Sequence, residues 1–384
     1  MKEKALIISP LGYTGLAYYD YSLCQSLAER GFDVELATSD RWLLGAYKNN
    51  FRLSKLFKGC SGDISKTAKG INYMISSLRV FLHALKGRFK VVHFQIVELP
   101  AVDVLSMLLM KLSGKRVVYT PHDIVHNKKY LLNTFLTKML YGISDRIVVH
   151  KKANLETLVE IFGVKPEKIR IIPHGGYEYF VDGSITKKEA RKALGLDENC
   201  RIALFFGNIR PGKGIEVLID ALPMVKAKVD NFKVVIAGRP CAGITEDFLK
   251  RAIEEKGVGG LVISRLGFIS DKDTQLYYIA SDMVALPYTE VSESGVLRYA
   301  QTCGRPVVCS DLREFQDSVI NGQTGYVFKN RDAEDLARQI IHAFSDPNLD
   351  KTGENAKKLL EGHYSWKKIA ALTEKLYNEP IALR

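Results

Sequence analysis

Short apolar runs of strand length alternate with longer stretches in which apolar residues return every three or four positions, and this alternation fills most of the 384 residues. Residues 4–9 form the first run. Residues 16–30 follow, with Leu16, Tyr19, Leu23 and Leu27 on one stripe and Gly31 as the stop. Further strands are predicted at 34–38, 91–95, 116–120 and 145–149, and helices at 99–112, 131–141 and 151–162. The segment IRIIPHGG, 169–176, reads as a last strand and a hinge. The pattern then resumes, with strands at 201–206, 233–237, 261–267, 283–286 and 306–309, helices at 215–225, 273–280 and 296–303, and a final group of helices. This order predicts an α/β fold in which parallel sheets are covered by helices on both faces. Length favours two or three domains, and no solenoid period of about 20–50 residues is present.

In such sheets ligands collect at the carboxyl ends of strands. The clearest candidate is the turn GNIRPGKG, 207–214, between a strand and a helix. Gly207, Gly212 and Gly214 allow close backbone approach, the following helix offers unpaired N–H groups, and Arg210 and Lys213 add two cations. A nucleotide phosphate site fits these features. The turn also spells G-x-x-x-x-G-K-G, but a P-loop needs Ser or Thr where Gly214 stands, so a phosphotransferase would lack its magnesium ligand. The same rule points to Gly12, Tyr13, Thr14 and Gly15 after the first strand and to Pro121, His122 and Asp123 after the fourth, while Gly238, Arg239 and Pro240 form a turn in the second half. His122 reads either as a substrate-bonding group or as a loop histidine held by Asp123.

Two acidic motifs follow. Asp271 and Asp273 form a D-x-D at a helix start, where N-capping and dipole neutralisation explain them without a metal. In TEVSESG, 289–295, Glu290 and Glu293 precede Ser294 and Gly295 at another helix start. That brings carboxylates for sugar hydroxyls and free N–H groups for phosphate oxygens to one place. A plain N-cap with acids on the dipole is the simpler reading.

Composition is that of an ordinary globular protein, 46% hydrophobic and 26% charged. The six cysteines form no C-x-x-C pair, no signal peptide is evident, and no run reaches a membrane span, so a cytoplasmic location is expected. The net charge of +12 changes the picture through its placement. Residues 1–175 carry 26 Lys and Arg against 14 Asp and Glu, whereas 176–384 carry 29 of each. From Lys48 to Lys90 ten Lys or Arg face the single acid Asp63. Within that stretch Ile71, Met74, Ile75, Leu78, Phe81, Leu82 and Leu85 recur at helical spacing. A basic amphipathic segment suits an anionic membrane surface or a polyanionic acceptor, or else it is a core helix with a solvated basic face. No nucleic-acid recognition motif accompanies the charge, and nucleic acid is not expected as a partner.

The order of segments resembles that of the family 4 glycosyltransferases of the GT-B fold, in which two Rossmann-like domains face each other across a cleft. FFGNIRPGKG resembles their diphosphate turn, VVIAG and RLGFISDKD the next two strands, SDMVALPY the strand before the donor-sugar loop, and CGRPVVCSD with NGQTGYVF the segments after it. PLGYTG, SDRIVVHKKA and IIPHGG match the first half more loosely, and HYSWKKIAALTEKLYNE resembles the closing helix that returns to the first domain. The resemblance implies an acceptor-side domain over 1–175, a nucleotide-sugar domain over 176–362 and a returning helix over 363–384. It implies retaining transfer of a hexosyl unit from a nucleoside diphosphate sugar to a hydroxyl, by a front-face route needing neither a protein nucleophile nor a metal cofactor.

Carried over by residue, the resemblance gives Lys213 to the diphosphate. The usual arginine position is Asn208 here, and Arg210 substitutes. The family's Glu-x7-Glu pair falls on Val291 and Tyr299, so Glu290 is the candidate sugar contact with Glu293 as alternative, and Tyr299 meets the ribose. His122 matches a histidine near the transferring sugar, Gly12 and Gly15 match the N-terminal glycine loop, and Ser294 and Gly295 supply phosphate-binding N–H groups. Gly207, Gly238 and Phe268 complete the expected donor contacts. The degenerate acid pair keeps a nucleotide-sugar epimerase or binding protein open beside the phosphotransferase. The acceptor expected from the basic half is lipid-linked or a growing surface polysaccharide, met by a protein peripheral at the inner face of the membrane.

Overall fold

An apolar run without alternation needs cover on both faces of its sheet, and the first strand has it: Ala5, Leu6, Ile7 and Ile8 are at most 2% exposed. The computed structural model describes residues 4–122, 124, 131–291 and 294–380. The chain divides into two compact units, Met1–Gly175 with Tyr364–Arg384, and Gly176–His363.

The first unit runs β1 (Lys4–Ser9), α1 (Leu16–Glu29), β2 (Asp33–Ser39), β3 (Arg52–Phe57), α2 (Lys66–Lys86), β4 (Val91–Phe94), α3 (Pro100–Leu112), β5 (Arg116–Tyr119), α4 (Leu131–Ile143), β6 (Arg146–Val149), α5 (Lys152–Glu160) and β7 (Ile169–Ile171). The second runs α6 (Lys187–Leu194), β8 (Arg201–Phe206), α7 (Ile215–Lys226), β9 (Phe232–Gly238), α8 (Glu246–Glu255), β10 (Val262–Leu266), α9 (Asp271–Ala280) and β11 (Met283–Leu286). It continues with α10 (Gly295–Thr302), β12 (Val307–Ser310), α11 (Arg313–Gln316), β13 (Gly325–Phe328), α12 (Ala333–Ser345) and α13 (Leu349–His363). The chain then rejoins the first unit as α14 (Trp366–Asn378).

Both sheets are parallel, with orders β3-β2-β1-β4-β5-β6-β7 and β10-β9-β8-β11-β12-β13. The order reverses between β1 and β4, and between β8 and β11. At such a reversal the connections leave toward opposite faces and open a crevice at the carboxyl ends. The second sheet is packed on both sides: Ala203 and Phe205 of β8 join Leu218, Leu222 and Ile340, while Ile202 and Leu204 join Tyr278, Leu286 and Leu297. In the first unit α14 is tied down by buried Trp366 beside Tyr19 and by the Tyr377 hydroxyl, 2.7 Å from His93 Nδ1.

Four elements lie where no strand or helix is predicted from the sequence: β3, α6, α8 and β13. β3 falls inside the basic stretch. It is an edge strand pairing only with β2, and edges tolerate the exposed cations that Arg52 and Lys55 supply. α2 is oriented against its composition. Tyr73, Ser76, Ser77, Val80 and Ala84 face inward, while Ile71, Met74, Ile75, Leu78, Leu82 and Leu85 are 40–56% exposed.

Candidate functional site

The loop leaving β8 is fixed by backbone before any ligand is considered. Ile209 N–H donates to Arg239 O at 2.9 Å and Cys241 N–H to Ile209 O at 2.9 Å, which pins the loop to the turn after β9. On its other side Thr289 N–H donates to Gly212 O at 2.9 Å. Gly214 has φ +67°, and a Cβ there would stand 1.7 Å from Pro287 O; a Cβ on Gly238, φ +139°, would stand 1.9 Å from Gly207 O. Only glycine fits these two approaches. The Ser or Thr of a P-loop therefore has no room at Gly214, and the phosphotransferase reading is set aside on that ground.

The loop presents its cations at the reversal between β8 and β11. Lys213 is half-buried, its Nζ 3.7 Å above the ring centroid of buried Tyr288. Burial, and then the Arg210 guanidinium, push its pKa down from 10.5 to about 8. No carboxylate among the described residues raises it. Arg210 is exposed and donates to Pro211 O at 3.2 Å; Asn208 is exposed beside it. A desolvated ammonium without a counter-anion is a site that gains from binding one.

The segment after β11 faces this loop. The Glu290 side chain lies across Gly212, where an added Cβ would meet Oε1 at 2.6 Å. Ser294 caps α10, its Oγ accepting from Leu297 N at 3.2 Å, and Val296 is 3.6 Å from the Cβ position of Gly207. The N–H groups at the start of α10 and the cations of 207–214 thus belong to one neighbourhood, and Gly295 opens that helix against the Tyr177 hydroxyl. Phe268, after β10, is 83% exposed. Glu293 lies outside the described residues.

Tyr299 is placed elsewhere. Its ring is 6% exposed, stacked on Tyr278 at 4.5 Å and close to Tyr177 at 4.8 Å, and its hydroxyl is turned to Phe180 O at 3.5 Å. That is the setting of a core side chain, and the ribose contact assigned to it by spacing is withdrawn. The D-x-D is engaged in capping: Ser270 Oγ accepts from Asp273 N at 3.2 Å and donates to Asp273 Oδ2 at 2.7 Å.

In the first unit the carboxyl ends of β4 to β7 bring together Gln95, His122, His150 and His174 around the Tyr19 ring, whose centroid is 4.7 Å from that of His122. His150 Nδ1 is 2.9 Å from Ile172 O, an acceptor only, so that nitrogen carries the proton. His150 Nε2 then accepts from His122 Nδ1 at 3.2 Å, leaving His122 Nε2 as an acceptor 3.0 Å from the Gln95 amide. Turning the Gln95 NH2 toward His122 completes the chain and gives the Gln95 Nε2, otherwise buried without a partner among the described residues, an acceptor. Burial, then His150, His174 and His93, hold the His122 pKa well below the imidazole range, so it is neutral with both ring nitrogens engaged. Asp123 lies outside the described residues. Gly12 is buried against Thr38 and Trp42, its O accepting from Leu43 N at 2.8 Å; Gly15 is exposed at the start of α1.

Sequence reasoning missed Tyr288, His150 and His174. Tyr288 follows the apolar strand β11, and residues at that switch-point carboxyl end are the place to look for a partner of the loop. The histidines sit one step beyond β6 and within the hinge, positions the same rule marks.

Comparison with known proteins agrees with this geometry. The description "Glycosyltransferase Family 4" matches residues 13–175 and "Glycosyl transferases group 1" matches 186–359. A D-inositol 3-phosphate glycosyltransferase of Streptomyces bingchenggensis is 28% identical over 256 residues, 64% of this chain but 55% of that protein, so the chain spans about half the length of this relative. One from Paenarthrobacter aurescens is 22% identical over 96% of this chain and 93% of its own. Among solved structures, sucrose-phosphate synthase from Thermosynechococcus elongatus superposes with TM-score 0.75 at 19% identity, covering 98% of each chain. Anabaena HepE in complex with UDP and glucose gives 0.74 at 18%, covering 98% of this chain and 100% of that one. With one family description on each unit, two reversing parallel sheets and relatives of matching fold across nearly its whole length, the chain belongs to the family 4 glycosyltransferases of the GT-B fold.

Proposed function

We propose that this glycosyltransferase moves a hexosyl unit from a nucleoside diphosphate sugar to a hydroxyl of a lipid-linked or surface-polysaccharide acceptor, with retention at the anomeric carbon. The observation that carries the donor half is Lys213, half-buried on Tyr288 with a second cation, Arg210, beside it. Anabaena HepE, of the same fold, is seen in complexes with UDP-glucose and with UDP and glucose, which supports a nucleotide sugar as the donor class.

The bond from the anomeric carbon to the β-phosphate oxygen breaks, and the leaving nucleoside diphosphate gains one negative charge. The acceptor oxygen forms the new glycosidic bond on the same face, and its proton passes to a departing phosphate oxygen. Lys213, Arg210 and the amides opening α10 meet the developing charge, and removing one such donor costs on the order of 10²–10³ in turnover. Glu290 receives the sugar hydroxyls. His122, neutral and engaged at both ring nitrogens by His150 and Gln95, offers the transferring sugar an uncharged ring and not a cation.

We assign no divalent metal to the reaction, because the two cations supply the charge that a metal would offer the diphosphate. Purified protein is therefore expected to keep its turnover in excess EDTA, and activity restored only by magnesium or manganese would overturn that part. The reaction itself is tested by incubating the protein with UDP-, GDP- and ADP-sugars and a hydroxyl acceptor and reading product anomeric configuration by NMR. Retention at the anomeric carbon is the expected result. An inverted product would remove the front-face route. Donor conversion with no glycosidic bond would favour a nucleotide-sugar epimerase.

A further inference from the structure

The outward side of α2 is a feature of the first unit that the transfer chemistry does not use. Its exposed residues Ile71, Met74, Ile75, Leu78, Leu82 and Leu85 fall within a stripe about 100° wide on a 3.6-residue period, the width a helix normally turns toward a core. Here the core takes the opposite side, through Tyr73, Ser76, Ser77, Val80 and Ala84. The apolar surface continues sideways. α3 packs beside α2, and it exposes Leu105 at 56%, Leu108 at 37% and Leu112 at 73%. α4 packs beside α3 and exposes Phe135 at 61%. Soluble monomers rarely leave so many large apolar side chains contiguous without a partner.

Cations border this surface. Arg79 and Lys86 are exposed about 70–90° round α2 from the centre of the stripe, by the helical period. Lys66 stands at one end of the helix, and Arg88 and Lys90 stand just past the other. They belong to the half of the chain that holds the entire charge surplus. A second copy of this chain would bring the same cations face to face. An anionic bilayer instead accepts the leucines below its headgroups and the cations among them. No described helix is long and apolar enough to cross the membrane, so the contact is one of lying on the surface.

We propose that the outer face of α2, continued by α3 and α4, docks this glycosyltransferase on an anionic lipid bilayer. This deepens the reading that the acceptor is met at a membrane, and it names the surface that meets it.

The test uses the full chain and sedimentation with vesicles of phosphatidylcholine alone or with about one-third phosphatidylglycerol, at low and high salt. The wild type is expected to bind the anionic vesicles, more weakly in salt. Leu78→Glu with Leu82→Glu is expected to bind at least about tenfold less while keeping its circular dichroism and its thermal stabilisation by UDP. Arg79→Ala with Lys86→Ala is expected to lose part of the salt-sensitive binding and keep the rest. Equal binding by the glutamate variant would move the contact elsewhere. A wild-type dimer in sedimentation velocity that the glutamates dissociate would make the occupant a second copy. If vesicles fail to bind while UDP still stabilises the protein, docking falls and the transfer reading stands; vesicle binding without any nucleotide effect reverses that outcome.

Discussion

Replacing Lys213 by Met should make the ligand-free protein more stable and at the same time strip it of nucleotide. The folded protein holds the Lys213 pKa at about 8 against an ordinary 10.5. At 1.36 kcal/mol per unit, the charged form is disfavoured in the fold by about 3 kcal/mol. The unfolded chain keeps this proton up to about 10.5, so the penalty is complete below pH 8 and fades as pH rises from 8 to 10.5. Methionine keeps the apolar stem over Tyr288 and removes the charge, forfeiting a cation–π contact worth about 1–2 kcal/mol. A net gain of about 1–2 kcal/mol follows, which raises the melting temperature by about 3–6 °C. Nucleotide acts in the opposite sense. A ligand at 100 times its dissociation constant stabilises the wild type by about 2.7 kcal/mol, and losing the charge weakens binding by about 100-fold, so this stabilisation falls to about 0.4 kcal/mol in the variant. Differential scanning fluorimetry at pH 7, with and without UDP, GDP and ADP, reads both effects. In the wild type, nucleotide affinity should also fall about tenfold per pH unit above pH 8, a slope the variant lacks. The reasoning is refuted if the variant melts lower than the wild type without ligand, or if nucleotide stabilises the two alike.

Three further outcomes are expected. Gly214→Ala forces a Cβ against Pro287 O at a positive φ, and should cost more than about 2 kcal/mol and lower the melting temperature by about 5 °C; an unchanged melt would mean that the approach is looser than drawn. Glu290→Gln should lower turnover by about 10–100-fold with nucleotide affinity unchanged, and equal rates would put the sugar contact on another residue. Asp20 is buried beside Ser9, and burial pushes its carboxyl pKa up to about 8. The folded state therefore keeps a proton that the unfolded state releases near 3.8, and stability contributed by the protonated form is lost as pH rises toward 8. Asp20→Asn, a neutral isostere, should gain on the wild type in urea midpoint from pH 5 to pH 8; a constant difference would show that Asp20 is ionised.

The sequence carried the strand–turn–helix around 207–214 plainly, because apolar periodicity and glycine placement are local properties that survive folding. Direction was less legible. The period of α2 gives its apolar stripe but not its orientation, since the inward space is filled by Tyr73, Val80 and small serines that no periodicity would choose. Counting spacings failed at Tyr299, where the neighbours that claim its ring, Tyr177 and Tyr278, are distant in sequence. The relay of His150 and His122 was hidden for the same reason: β5 and β6 are adjacent only once the sheet has formed. Lys213 shows the converse case. Its place in a cationic, glycine-rich turn was readable from the sequence, but its burial on the Tyr288 ring exists only in three dimensions.

A crystal structure of the protein with a bound nucleoside diphosphate would decide where the donor sits. Diphosphate oxygens should lie within hydrogen-bonding distance of Lys213 Nζ, the Arg210 guanidinium and the backbone amides opening α10. A diphosphate bound clear of 207–214, with the Lys213 ammonium still resting on Tyr288, would contradict the assignment.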